Sequence, residues 1–448
     1  MSKTPINRWV VMACWIMIAV SVQSQPSARH AFSVQQAVDY ARKNNVQVKN
    51  ALLNVLIQQQ TNKDITAGAL PSIKGNIGIT DYIDIPTSLL PGEIFGQPAG
   101  TYIPVKFGTK YNSSASIQLQ QTLFDGQVFI GLQARATSIQ FQNKNVEVTE
   151  EAIKANIYKI YYQLAVSKTQ IELLDANIAR LMKLQHDANE LYKNGFAEKL
   201  DLDKIAVQVA NLQTEKIKAL NSIDIGYLGL KTLMGMPAKD TLILTDKITE
   251  DQVKTDFVND TLYQYNERKD FQYLQLAKKL NEYNIRRYKL AYLPALSLNG
   301  SYSKNAQRNT FSFFGKGDWF TTSYVGVNLA VPIFDGFARN ARVTKATLEL
   351  KQTQNQIDNL QLTIDNEVEQ SRISFRSALA TMDFQKKNMQ LAENVYNQTK
   401  KKFEIGTGSN TEINAAQTDL VTAQTNYINA LYTAIIARVD YLKATGKL

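Results

Sequence analysis

"VPIFDGFARN" (331–340) reads as the end of a strand running into a helix. Val331 and Ile333 alternate with Pro332 and Phe334, Asp335-Gly336 punctuates, and a long proline-free stretch follows. The chain writes nearly the same junction earlier, as "QTLFDGQVFI" (121–130). Outward from these two sites, "YKNGFAEKLDLDKIAVQVANLQTEKIKAL" (192–220) aligns without a gap on "FEIGTGSNTEINAAQTDLVTAQTNYINAL" (403–431), at an offset of 211. The offset pairs Tyr192 with Phe403, Gly195 with Gly406, Asp201 with Glu412 and Gly235 with Gly446. Upstream, "ALPSIKGNIGI" (69–79) matches "YLPALSLNGSY" (292–302). The order helix, Leu-Pro, strand, loop, strand, FDG, long helix, Gly turn, helix, Gly stop occurs twice, which is a tandem duplication. The first repeat spans 25–235, a linker 236–258, and the second repeat 259–448.

Helices are expected over 33–67, 127–192, 198–234, 259–291, 337–405 and 411–445. The two long ones contain no proline, and Gly131 is their only glycine. At 1.5 Å per residue each makes a rod of roughly 100 Å, which demands coiled-coil-like support. The last helix shows the packing pattern. Ile413, Leu420, Tyr427, Ala434 and Tyr441 fall seven apart, as do Ala416, Ala423, Ala430, Ala437 and Ala444. Its first-repeat counterpart follows the same seam, with Lys216 breaking it once.

Four strands are expected, at about 72–84, 109–124, 295–304 and 319–334. Tyr111, Ala115, Ile117, Leu119 and Leu123 share one face, opposite Asn112, Ser114, Ser116, Gln118, Gln120 and Thr122. Ile73, Ile77 and Ile79 oppose Lys74, Asn76 and Thr80, and Leu296 and Leu298 oppose Ser297 and Asn299. Trp319, Val325, Val327, Leu329, Val331 and Ile333 form a further apolar face. This two-residue period is that of outer-membrane barrel strands, and a soluble antiparallel sheet alternates in the same way. In lipid such a sheet cannot leave its edges unpaired, and single-chain barrels begin at about eight strands. Four strands therefore imply strands from neighbouring copies: a dimer supplies eight and a trimer twelve. Residues 84–108 and 304–318 read as loops at the outer end. At the junctions, Asp125 and Asp335 suit helix N-caps and Gly126 and Gly336 suit unusual backbone angles. Pro71 and Pro294 mark the return from helix to strand.

Lys3 and Arg8, the apolar stretch 9–22 and small residues to Ser24 read as an export signal over 1–24. Its apolar core is too short to span a bilayer comfortably. Cys14, the single cysteine, lies within it; "VMAC" around it is a weak match to a lipidation box. A mature chain starting near Gln25 has no cysteine for a disulfide or a thiolate ligand. The net charge of +10 is scattered among acidic residues, without an Arg-rich block, so no nucleic-acid partner is expected. His30 and His186 are the only histidines, both expected in solvent. No HExxH, GxSxG or phosphate-binding loop occurs. No enzyme activity, metal or cofactor is expected.

Taken together, Leu70-Pro71, Leu293-Pro294, "LFDG", "VPIFDG" and the two hairpin tips, following a signal peptide, resemble the TolC-like family of outer-membrane efflux proteins. The resemblance covers about 32–446. It implies a homotrimer with a twelve-stranded β-barrel in outer-membrane lipid, continuing into a long periplasmic α-helical barrel. It implies a passive duct for small molecules that docks to a periplasmic adaptor protein and an inner-membrane transporter. The tips around 192–201 and 403–412 would be the docking and gating end, with Tyr192, Gly195, Gly406 and Gly408 at the turns. In the family's constriction pattern Phe403 stands for a Tyr, Gly406 is kept, Gly408 replaces an Arg, Glu412 matches one acid and Ala415 replaces another. Glu412 could form an acidic ring with its copies. Alternatively, Glu412 and Asp201 simply occupy the first turn of a helix, where negative charge is favourable. A protein-secretion duct of the same fold and a soluble periplasmic coiled-coil scaffold are the competing readings.

Overall fold

The computed structural model describes residues 28–246, 250–254, 263–315 and 317–448. The expected export signal, Cys14 and residues 259–262 of an expected helix lie outside them. The first repeat contains β1 (Arg29–Phe32), α1 (Val34–Asn44), α2 (Val46–Ala67), β2 (Ser72–Asp81), β3 (Thr87–Pro91), β4 (Tyr102–Lys106), β5 (Tyr111–Phe124), α3 (Gly126–Lys193) and α4 (Lys199–Met234). Then come β6 (Thr241–Leu244), α5 (Glu250–Lys254), α6 (Lys269–Leu290), β7 (Ala295–Arg308), β8 (Phe320–Ala330), α7 (Ala338–Glu404) and α8 (Asn410–Ala444). The chain forms two compact units, divided within α3 after Ala155 and within α7 after Ser377.

One unit holds the hairpin ends: α3 from Asn156, α4, α7 from Ala378 and α8 to Ile436. The α8 seam is buried as its heptads require: Ile413, Ala416, Leu420, Ala423, Ala430 and Ala434 are all enclosed. Ile413, Ala416 and Leu420 join Leu181, Leu184, Ala188, Ile205, Val209 and Tyr396 in one apolar cluster. The expected linker 236–258 is more structured than its sequence implied. Within it, β6 pairs in parallel with β1, from Arg29 opposite Thr241 to Phe32 opposite Leu244. The pair is fastened where Ala28 N donates to Asp240 Oδ1 at 3.2 Å and Tyr161 Oη donates to Phe32 O at 2.8 Å. Glu250, the first residue of α5, accepts from Lys386 Nζ at 2.8 Å and from Tyr427 Oη. His30 is only partly in solvent: its side chain is 25% exposed, its ring lies 5.4 Å from Phe32 and 5.9 Å from Tyr40, and Nε2 is 3.5 Å from Asp240. His186 is exposed.

The other unit carries the sheet, an antiparallel array in the order β2-β5-β7-β8. Its register explains the alternation. Ile73, Leu119, Gly300 and Val325 fall in one row, and Gln121, Leu298 and Val327 in another of the same face. Rows of the opposite face read Asn76-Ser116-Ser303-Thr322 and Lys74-Gln118-Ser301-Tyr324. One side is thus chiefly apolar and the other largely uncharged and polar, across all four strands. β2 and β8 are open edges, and every residue of β8 is exposed.

Five features differ from expectation. The helix expected over 33–67 breaks at Asn45, whose backbone is extended (φ −62°, ψ 133°). The helix expected over 259–291 begins only at Lys269, after a short 3₁₀ turn. The strand expected to reach 334 stops at Ala330 and leaves an irregular passage before α7. The loop 84–108 contains a two-stranded ribbon, β3 paired with β4, and β7 runs four residues past 304.

Candidate functional site

The hairpin tips share one backbone design. After α3, Gly195 adopts φ +76°, its N–H donates to Tyr192 O at 3.0 Å, and Phe196 N donates to Leu191 O at 2.8 Å. After α7, Gly406 adopts φ +78°, its N–H donates to Phe403 O at 3.0 Å, and Thr407 N donates to Lys402 O at 2.9 Å. This left-handed cap satisfies the last carbonyls of each helix, and only glycine enters it without strain. The tips differ beyond it. Gly408 lies so close to the chain that a Cβ would sit 2.9 Å from Phe403 N. Phe403 packs partly buried against the apolar cluster, whereas Tyr192, Phe196 and Ile405 are exposed.

Glu412 is the third residue of α8 and half of a capping box. Its own N–H donates to Ser409 Oγ at 3.2 Å, and its carboxylate accepts from Ser409 N at 3.4 Å. Asp201 holds the matching place in α4, with Lys204 Nζ at 4.0 Å, but its N-cap residue Glu198 makes no side-chain cap. Phe403, Gly406, Gly408 and Glu412 are thus gathered on one turn, and Tyr192, Gly195 and Asp201 on the other.

Behind the tips lies a feature that sequence reasoning missed. Asn177 of α3 is buried and donates through Nδ2 to Gln424 Oε1 at 2.8 Å. Its Oδ1 accepts from Gln417 Nε2 and from Arg180 Nη1, both at 3.1 Å. Arg180 in turn lies over the ring of Tyr396, 5.8 Å from its centre. Gln417 Oε1 is buried without a hydrogen-bond partner among the described residues. The signal was available: Gln417 and Gln424 are seven apart, beside Ala416 and Ala423 of the seam.

The C-terminal ends of the hairpins are also held alike. Asn45 Nδ2 donates to Leu233 O at 2.6 Å, and Gly235 (φ +70°) presses on Asn44, where a Cβ would meet its carbonyl oxygen at 2.4 Å. In the second repeat Arg268 Nη1 donates to Ala444 O at 3.1 Å, and a Cβ on Gly446 (φ +75°) would lie 2.8 Å from the carbonyl carbon of Glu267. The first joint is made through an amide side chain. The second is ionic: buried Arg268 also bonds Asp270 Oδ2 at 2.6 Å and Glu367 Oε2 at 2.8 Å. Burial pushes the carboxyl of nearby Glu151 above its ordinary range, against the pull of Arg268.

At the strand-to-helix junctions Asp125 directly precedes α3, whereas Asp335, expected at the N-cap, lies three residues before α7 and reaches Arg339 from there. Asp125 Oδ1 accepts from Gln127 N at 2.8 Å, a helix cap. Asp335 Oδ2 accepts from Arg339 N at 3.0 Å and Arg339 Nε at 2.8 Å. Burial raises the Asp335 carboxyl, but Arg339 outweighs it and holds the group below its usual range. Gly336 has φ +62°, as anticipated. Gly126 does not take a positive φ; it is small because a Cβ would lie 2.6 Å from Leu290 Cβ, at the end of α6. Strands follow directly after Pro71 and Pro294. No group of three or more metal-ligating side chains occurs among the described residues.

Residues 265–447 match the family described as Outer membrane efflux protein. Among curated relatives, "Outer membrane protein TolC" of Vibrio cholerae serotype O1 is 18% identical over 337 residues, which is 75% of this chain and 77% of the relative. "Outer membrane efflux protein BepC" of Brucella suis biovar 1 is 22% identical over 413 residues, covering 91% and 84%. A solved structure of CusC superposes with a TM-score of 0.75 over 92% of each chain, at 14% identity.

Proposed function

We infer that this chain, which belongs to the TolC-like outer-membrane efflux proteins, is the exit duct of an efflux system. It is a passive channel and not an enzyme, with its sheet in the outer membrane and its helices in the periplasm. The observation that carries the reading is the sheet with one apolar and one polar face, both edges open, on the same chain as helices of 68 and 67 residues. Unpaired backbone in lipid costs several kcal/mol per group, so the edges need partners.

Channels of this family are trimeric and work with an adaptor and an inner-membrane pump. For this chain we assign the same assembly: β2 of one copy pairs with β8 of the next, and three sheets close twelve strands. The repeats 25–235 and 259–448 then form six staves around a common axis, after removal of residues 1–24. The tips would meet the adaptor through Tyr192, Gly195, Gly406 and Gly408. Phe403, Gly406, Glu412 and Asp201 would border the constriction, and small molecules would be the cargo. The shared glycine caps and the exposed apolar side chains Tyr192, Phe196 and Ile405 support a docking role.

The test is reconstitution of the detergent-extracted protein in planar bilayers, with particle mass measured in parallel. Trimers giving discrete conductance steps are expected. A water-soluble monomer that never conducts would overturn the reading.

A further inference from the structure

We propose that the irregular passage 331–337 is a membrane anchor, which sets Ile333, Phe334 and Phe337 into the lipid interface on the periplasmic side of the outer membrane. The anchor rests on the lipid-facing sheet of the duct proposed above and extends the lipid contact past Ala330, where β8 ends.

The passage is held in a strained form. Gly336 and Phe337 take left-handed backbone in succession, at φ +62° and +68°. Phe337 is the only residue other than glycine with a positive φ among the described residues. A bulky side chain is disfavoured there, and such strain persists only where the surroundings over-determine it. Arg339 supplies that constraint. It donates through Nε to Asp335 Oδ2 at 2.8 Å and through Nη1 to Pro332 O at 3.1 Å, and its guanidinium lies 5.2 Å from the centre of the Tyr292 ring. The result is a placed aromatic pair: the Phe337 ring meets the Phe334 ring edge-on, with centres 5.6 Å apart.

The polarity of the passage is inverted for a turn in water. Its cation is inside, for Arg339 is buried, while Ile333, Phe334 and Phe337 are 91%, 75% and 74% exposed. This apolar surface continues that of the sheet. The apolar face ends in the row Phe124-Leu296-Leu329, and exposed Val331 leads from it to Ile333. The first junction repeats the pair without the strain: Phe124, closing β5, lies 5.6 Å from Phe129 of α3, and both are exposed. β5 and β8 each pair antiparallel with β7, so they run the same way and the two aromatic pairs stand at one end of the sheet. Aromatic side chains favour the boundary between hydrocarbon and water, and this is where the sheet gives way to helix.

The experiment places an indole in the passage. The full chain carrying Phe334→Trp and Trp319→Phe is reconstituted in phosphatidylcholine vesicles, beside the Trp319→Phe chain as background. Emission should be lost to lipid brominated near the headgroup, and less of it to lipid brominated near the chain ends. If neither lipid quenches it in trimers that conduct, the ring lies against another copy or in solvent; the anchor is then wrong and the duct stands. Stronger quenching from the chain ends also overturns the anchor, because the passage would then lie within the membrane and not at its edge. If even the unaltered chain never enters vesicles, the lipid-facing reading of the sheet fails and the anchor with it. As a second measure, Phe337→Gly relieves the backbone and removes the ring. It should leave the temperature at which the trimer dissociates in dodecyl sulfate unchanged or raised, while releasing the protein from membranes at lower detergent concentration than Phe337→Tyr. A lowered dissociation temperature, or unchanged release, shows a ring that serves packing within the protein and counts against the anchor.

Discussion

Asn177 Nδ2 donates to Gln424 Oε1 at 2.8 Å between α3 and α8, with both side chains withdrawn from water. Because the same Asn177 also accepts from Gln417 and Arg180, it decides how α8 sits on α3. Asn177→Ala strands several buried polar atoms at about 1–3 kcal/mol each. The expected outcome is faster proteolysis of the tips and raised conductance, with the sheet still assembled. Asn177→Asp, which keeps the acceptor but loses the donor, should fall between.

Glu151 gives a pH test. Burial raises its carboxyl, so the folded chain binds this proton more tightly than the unfolded chain. The resulting stabilisation is complete below the unfolded pKa of about 4.3 and is lost as pH rises through the folded value. Glu151→Gln removes the buried charge. It should raise the melting temperature at neutral pH and above, and leave it nearly unchanged near pH 4.

The two junction glycines should respond differently. Gly336→Asn should be tolerated, because its site is open and only the positive φ restricts it. Gly126→Ala should reduce assembled protein, because its methyl collides with Leu290. Yield of heat-resistant oligomer reads both.

Val327 lies on the apolar face, 63% exposed in the single chain. Val327→Arg should impair insertion at about 2–4 kcal/mol per subunit near the bilayer midplane. Ser301→Arg, on the polar face, should assemble and change conductance instead. Normal yield of the Val327 variant would reverse the assignment of faces.

Glu412→Gln should shift the reversal potential toward lower cation selectivity if the carboxylates ring the constriction. The glutamine still caps Ser409 N, so the helix start should survive.

The α8 seam was legible because one pattern runs through five heptads and every seam position except half-buried Tyr427 is enclosed. Strand faces were legible for a similar reason: period two survives across all four strands. The β3–β4 ribbon was hidden by Pro91 and Pro104, which argue against a central strand yet fit a two-stranded ribbon with outward edges. The pairing of β1 with β6 joins two four-residue strands far apart in sequence, too short for any periodicity to show. Asn45 broke a helix with no glycine or proline to announce it; its reason is the Leu233 carbonyl, which only folding brings near. Asn177 likewise gains meaning from Gln417, 240 positions away.

The duplicated anchors at Asn45 and Arg268 do the same mechanical job with different chemistry. Salt screens withdrawn charges far less than exposed ones, and Arg268 is withdrawn from water, so brine does not separate the two joints. Loss of a partner does: a buried guanidinium left uncompensated costs more than a broken amide bond, and the second repeat is the less forgiving of the two to mutation.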